Sequence, residues 1–204
     1  MSTRAPIVPL SASLPAIAAA AFLCLCATRA GTATARECDG VSFPESIQAG
    51  AQTLTLNGLG LRKATIFGIK VYVGALYLPH PTADANAILT SRDPFEIELR
   101  FVFRATAGQL RSAWQDGFEK SAAGELPRLQ SRITRLEGWM NGVSSGQRMT
   151  FTRLPGAGIQ YALDGAVQGT IPGDDFASAF LAIWLGPSPP NPELRAGLLG
   201  GPCS

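Results

Sequence analysis

The chain has 204 residues, with 17 Lys and Arg, 15 Asp and Glu, one histidine and four cysteines, and a formal charge of +2. Residues 1–35 hold two of the bases, Arg4 and Arg29, and none of the acids, so the remainder is formally neutral. Neutrality argues against nucleic acid, which needs a basic patch, and the lone His80 excludes a histidine-rich zinc or iron centre.

Arg4 provides a basic start, and Leu14 to Ala27 is an apolar run of the length of a signal-peptide core. Ala33-Thr34-Ala35 is a small-x-small cleavage site. The run is shorter than the roughly 20 residues that cross a bilayer. Residues 1–35 are therefore expected to be a signal peptide and 36–204 one exported, periplasmic domain. An uncleaved N-terminal anchor is the rival reading. No later segment is apolar enough to span, so the mature chain is not expected to be an integral membrane protein. In an exported protein Cys38 and Cys203 invite a disulfide closing nearly the whole domain. Two free thiols on frayed ends are the alternative.

Residues 36–50 read as a short lead-in. Thr53 to Leu56 alternates like a half-buried strand, Asn57-Gly58-Leu59-Gly60 reads as a turn, and Leu61 to Phe67 is extended again. Ile69 to Leu78 is rich in β-branched and aromatic residues, as a central strand is. Asp84 to Thr90 reads as a short helix with Thr82 as its N-cap.

Phe95 to Arg104 is the clearest strand. Phe95, Ile97, Leu99, Phe101 and Phe103 share one face, and Glu96, Glu98, Arg100 and Arg104 share the other with Val102, a partly wet face on which Glu96 and Glu98 are expected in solvent. Two helices follow. Thr106 caps the first, with a stripe of Leu110, Trp114 and Phe118; the second starts near Glu125, with Leu129, Ile133, Leu136 and Met140. Three short strands come next, 147–154, 158–163 and 166–171, joined by hairpin turns at 155–158 and Asp164-Gly165. A helix from Gly173 or Asp174 to Leu185 and a last one over 192–199 complete the order. That order is α+β: a large antiparallel sheet with a layer of helices on one face.

Gly142-Val143-Ser144-Ser145-Gly146 matches G-x-S-x-G, but a helix precedes it and a strand follows, the reverse of a nucleophile elbow. Asp174-Asp175 reads as a helix cap favouring the positive end. Arg62 differs from these. It lies in an apolar stretch just before the most hydrophobic strand, and a half-buried arginine needs an acceptor. Two acceptors fit: an acid of the protein, or the head group of a bound acid. Tyr72 and Tyr77 are separated by an odd number of residues, so only one of them can share a cavity with a given side chain.

Leu56-Asn57-Gly58-Leu59-Gly60-Leu61-Arg62 followed by Lys70 to Leu78 resembles the chalcone isomerase-like family, in its bacterial exported branch. Further agreement runs through Phe95–Arg104, Gly156-Ala157-Gly158, Gly169 to Asp174 and Phe180 to Gly186, so the likeness covers nearly all of 40–200. It implies the same large antiparallel sheet with one helical layer. Plant chalcone isomerases use an arginine in the glycine-rich turn, a threonine in the next strand, and a tyrosine, lysine and asparagine nearby. Here Arg62 keeps the arginine, Tyr72 stands at the threonine position, and Leu110, Ala113 and Gly117 stand at the other three.

The resemblance to the family's non-catalytic fatty-acid-binding members fits better, with Arg62 and Tyr72 as the pair that binds a carboxylate. Phe101, Phe103, Trp114 and Phe118 are candidate wall residues, with plain core as the other role for each. The resulting expectation is a periplasmic binding protein for a fatty acid or similar apolar carboxylate, with no catalytic residues, no cofactor and no metal. An isomerase of chalcone isomerase type, and a partner-docking protein with a filled interior, are the alternatives.

Overall fold

The computed structural model describes Met1, residues 34–64 and residues 67–204. Apart from Met1, Thr34 and Ala35, the expected signal segment lies outside the described residues. The stretch expected to be a lead-in instead forms strands. β1 (Ala35–Cys38) and β2 (Val41–Pro44) make a two-stranded hairpin. β3 (Ser46–Ala49) then opens a seven-stranded sheet that continues through β4 (Gln52–Ala64), β5 (Ile69–Leu78), β6 (Phe95–Phe101), β7 (Arg148–Leu154), β8 (Gly158–Leu163) and β9 (Ala166–Ile171). Spatial order equals chain order and every pairing is antiparallel. Asp164 and Gly165 have φ of 49° and 84°, the left-handed pair that a tight two-residue hairpin requires.

The helices α1 (Ala85–Thr90), α2 (Ala107–Ala122), α3 (Leu126–Gly138), α4 (Asp174–Leu185) and α5 (Pro192–Leu198) complete the fold. Thr106 caps α2 in a full capping box with Gln109. Asp84, not Thr82, caps α1 by accepting from the backbone of Asn86 and Ala87. Asp174 and Asp175 do not cap α4; Gly173 does, with φ of 106°. The two acids lie in the first turn and bind arginines: Asp174 pairs with buried Arg153, and Asp175 with Arg132.

Each face of the sheet carries a core. On one, the apolar stripes of α2, α3 and α4 meet Leu76, Ile97, Leu99 and Phe151. On the other, the β1–β2 hairpin brings Cys38 and Phe43 onto Leu54, Leu59, Val73 and Tyr77. This second cover explains why Glu98, expected in solvent, is buried. It pairs with Arg100, which stacks over Phe43 and donates to the Ser42 carbonyl. Cys38 and Cys203 are bonded, with Cα atoms 5.9 Å apart, and so tie the end of the chain to that hairpin.

The segment Asn57–Gly60 is not a turn. β4 runs straight through it, and α5 lies directly on the strand there. A Cβ on Gly58 would meet the Gly197 carbonyl at 2.1 Å, and one on Gly60 the Leu194 carbonyl at 2.4 Å. The glycines remove side chains where two backbones touch. Asn57 is bulged and buried, donating to the Leu198 carbonyl and accepting from the Thr82 amide. Among the described residues no helix is long and apolar enough to cross a membrane.

Candidate functional site

Arg62 on β4 stands directly opposite Tyr72 on β5, so both side chains leave the same face of the sheet. The next pair is Lys63 with Lys70, which leaves Val71 as an extra residue, a bulge. The bulge shifts the alternation, so that Ala64, Ile69 and Val71 join Arg62 and Tyr72 on one wall of a cavity. The Val71 carbonyl accepts from Val102 and Phe103 at 2.9 and 3.2 Å. That contact bends the chain away after Phe101, which is why the sixth strand stops there and not at Arg104.

The cavity holds about 440 Å³, within the range of roughly 300–1,000 Å³ typical of small-molecule sites. Its walls are this end of the sheet, α2, the end of α4 at Ile183 and Trp184, and the loop of Ser188–Pro190 that leads into α5. Three of the four expected wall residues are there: Phe101, Phe103 and Trp114. Phe118 is not. It faces the inner core, against Phe176 and Phe180, because the stripe along α2 is long enough to serve cavity and core at different turns. Leu110, Ala113 and Gly117 also line the cavity, so its helical wall is apolar at all three positions.

Arg62 has no carboxylate within ion-pair distance among the described residues. Its Nη1 donates to the Lys63 carbonyl and to Asn191 Oδ1 at 2.9 Å. The same Asn191 oxygen accepts from the Lys63 amide at 3.0 Å. Asn191 is at the N-cap position of α5, yet its side chain makes no cap bond; it holds the arginine instead. Nε and Nη2 have no acceptor among the described residues. A neutral amide does not neutralise the guanidinium, so a positive charge stays on the cavity wall.

The Tyr72 hydroxyl accepts from Trp184 Nε1 at 3.0 Å. Burial pushes its pKa above the ordinary 10.0, partly offset by that hydrogen bond and by the Arg62 charge. Tyr72 therefore stays a phenol, a donor whose proton has no acceptor among the described residues. Trp184 packs edge-on to Trp114, and Phe101 edge-on to Tyr72. Tyr77 lies on the other face and donates to the Pro44 carbonyl. At the outer margin of the cavity stand Arg104, Gln109, Asp116 and Lys120, all exposed. The G-x-S-x-G stretch is a loop between α3 and β7 that bonds behind Ala105 and Phe101 without lining the cavity itself, and His80 is exposed.

Sequence reasoning missed Asn191, Trp184 and the Val71 bulge. An Asn before Pro192 marks a helix start, but nothing local signals that its side chain is diverted 129 residues back to Arg62.

A family model described as chalcone isomerase-like matches residues 35–200. The chain belongs to the chalcone isomerase-like family. The match runs from the first residue of β1 past the end of α5, so both the hairpin and the helix that carries Asn191 are part of the shared unit. Among solved structures, a fatty-acid-binding protein of Arabidopsis thaliana aligns at a TM-score of 0.63 and 19% identity, over 78% of this chain and 92% of that one. That likeness shows the fold. No curated protein matches.

Proposed function

We propose that the protein is an exported, non-catalytic binding protein for a fatty acid or a similar apolar carboxylate. The observation that carries this reading is the Arg62–Tyr72 pair: a guanidinium and a phenol side by side on the wall of an apolar cavity, with no acid among the described residues to satisfy them. Arg62 offers Nε and Nη2 to a carboxylate in a charge-assisted fork, and Tyr72 adds one hydrogen bond. The tail lies against Leu110, Trp114 and Phe101. The fatty-acid-binding relative of the same fold supports the ligand class.

One observation favours an isomerase: Asp116 and Lys120 of α2 line the cavity margin. Both are exposed, and water weakens the electrostatic leverage a catalytic group needs. The inner helical wall is apolar, and Tyr72 with its raised pKa is a poor base. Mass spectrometry of gently purified protein tests the proposal. A co-purifying fatty acid that disappears in Arg62→Ala while the fold survives is the expected result. A ligand retained unchanged by Arg62→Ala, or ring closure of a chalcone by the wild type, refutes it.

A further inference from the structure

Ile69 and Phe103 line the cavity and are also exposed, at 41% and 48%, so they form its rim. Phe67, two residues before Ile69 in the turn joining β4 to β5, is 83% exposed. Among the described residues from 34 onward, only four large apolar side chains are this exposed, and three of them are these. Val167, on β9 at the far edge of the sheet, is the fourth. The Val71 carbonyl holds the bend of Val102 and Phe103 against the start of β5, so the three side chains belong to one end of the sheet.

Charge is uneven at the same place. Arg104 and Lys120 line the cavity margin and are exposed, and neither has a carboxylate within 4.0 Å among the described residues. Among the described residues Asp116 is the sole acid on the cavity wall. With Arg62 the wall carries three cations against one anion, in a chain whose remainder after residue 35 is formally neutral.

We propose that this rim docks the protein onto a lipid bilayer with anionic headgroups. Phe67, Ile69 and Phe103 enter the interface, and Arg104 and Lys120 meet the phosphates. Exposed aromatic and aliphatic side chains, flanked by cations that pair with no carboxylate among the described residues, are what an anionic bilayer surface binds. The cavity is continuous with that rim. If its ligand is an acyl carboxylate, as proposed above, the tail passes between bilayer and cavity without crossing water. The docking itself does not depend on that ligand, because none of the five rim residues belongs to the Arg62–Tyr72 pair.

Co-sedimentation of the protein, recovered from an exporting host, with vesicles tests this. Vesicles of phosphatidylcholine with 30% phosphatidylglycerol should bind it, and pure phosphatidylcholine should bind it far less. Binding should weaken as salt rises. Arg104→Gln and Lys120→Gln should each lower the partition coefficient about fivefold. Phe67→Ala with Phe103→Ala should lower it at least about tenfold. Vesicle binding by protein from which no acyl ligand is recovered and to which none can be added sinks the ligand reading and leaves docking intact. No binding to anionic vesicles at low salt overturns the proposal. So does binding indifferent to all four rim substitutions, or a concentration-dependent dimer abolished by Phe103→Asp with no affinity for vesicles.

Discussion

Replacing Arg62 by alanine should weaken carboxylate binding by a calculable amount. The side chain keeps Nη1 on Lys63 and Asn191, which leaves Nε and Nη2 for a ligand. A hydrogen bond to a charged group contributes about 1.5–3 kcal/mol. Two such bonds at a half-buried position, discounted for screening, give about 2–3 kcal/mol, roughly a 30- to 150-fold rise in Kd. Fluorescent fatty-acid displacement with hexadecanoate measures it directly. The fold should survive, since the lost protein contacts are one amide oxygen and two carbonyls, Lys63 and a long one to Pro190, at a half-exposed site. Thermal melts should shift by no more than a few degrees. Tyr72→Phe removes one donor and also strips Trp184 of its acceptor, so a loss of roughly fivefold is expected. Because burial holds the phenol pKa above 10.0, affinity should not fall between pH 7 and 9 through loss of that proton. A change below threefold in Arg62→Ala, in protein whose melt is intact, refutes the assignment of Arg62 as the head-group anchor.

Three further outcomes follow from the geometry. Asp175 is held at a pKa of about 2, first by its hydrogen bonds from Arg132, against 3.8 for a free carboxyl. A depressed carboxyl pKa stabilises the fold above about pH 4 and loses that contribution as pH falls toward 2. Asp175 is partly exposed, so Asp175→Asn should cost only about 1 kcal/mol at pH 7 and flatten the acid limb of a pH–stability curve. Reducing the Cys38–Cys203 bond, or Cys203→Ser, frees a loop of 165 residues and should cost about 2–5 kcal/mol, a fall in Tm of roughly 5–15 °C by calorimetry. Gly60→Ala sets a Cβ against the Leu194 backbone and should cost about 1–3 kcal/mol in a denaturant melt, while the same substitution at the open Gly124 costs nothing measurable.

Local patterns carried most of the architecture. The alternation in Phe95–Phe101, the four-residue stripe Leu110-Trp114-Phe118 and the Asp164-Gly165 turn each report their own conformation, because one face is buried and the period is short. What failed was set by partners distant in sequence. Gly58 and Gly60 look like a turn, since glycine tolerates any φ, but their reason is a helix more than 130 residues later. Glu98 looks solvated until the 35–44 hairpin is known to cover it. Strand parity alone implied only that at most one of Tyr72 and Tyr77 could share a cavity with Arg62; the family resemblance named Tyr72, and the parity held from Arg62 to Tyr72. It broke one residue further on, where the Val71 bulge turns extra apolar side chains toward the cavity. No local signal announces a bulge.

The C-terminal helix is what makes the arginine available. A guanidinium on a strand, facing an apolar layer, would normally find a carboxylate or turn away to solvent. Here α5 is drawn onto β4 by a glycine track that lets the backbones touch, and the chain beyond it is fixed by the Cys38–Cys203 bond. That placement puts Asn191 beside Arg62, where an amide oxygen orients one end of the fork without cancelling its charge. An aspartate at 191 would do the same geometric work but leave the pair internally neutral. Asn191→Asp is therefore the sharpest discriminator between a structural arginine and a binding one. If Arg62 serves only the fold, Asn191→Asp should stabilise the protein and leave ligand binding unaltered. If Arg62 waits for a carboxylate, the same substitution should preserve the fold and lower affinity by at least about tenfold, since the new anion competes for the fork and repels the head group.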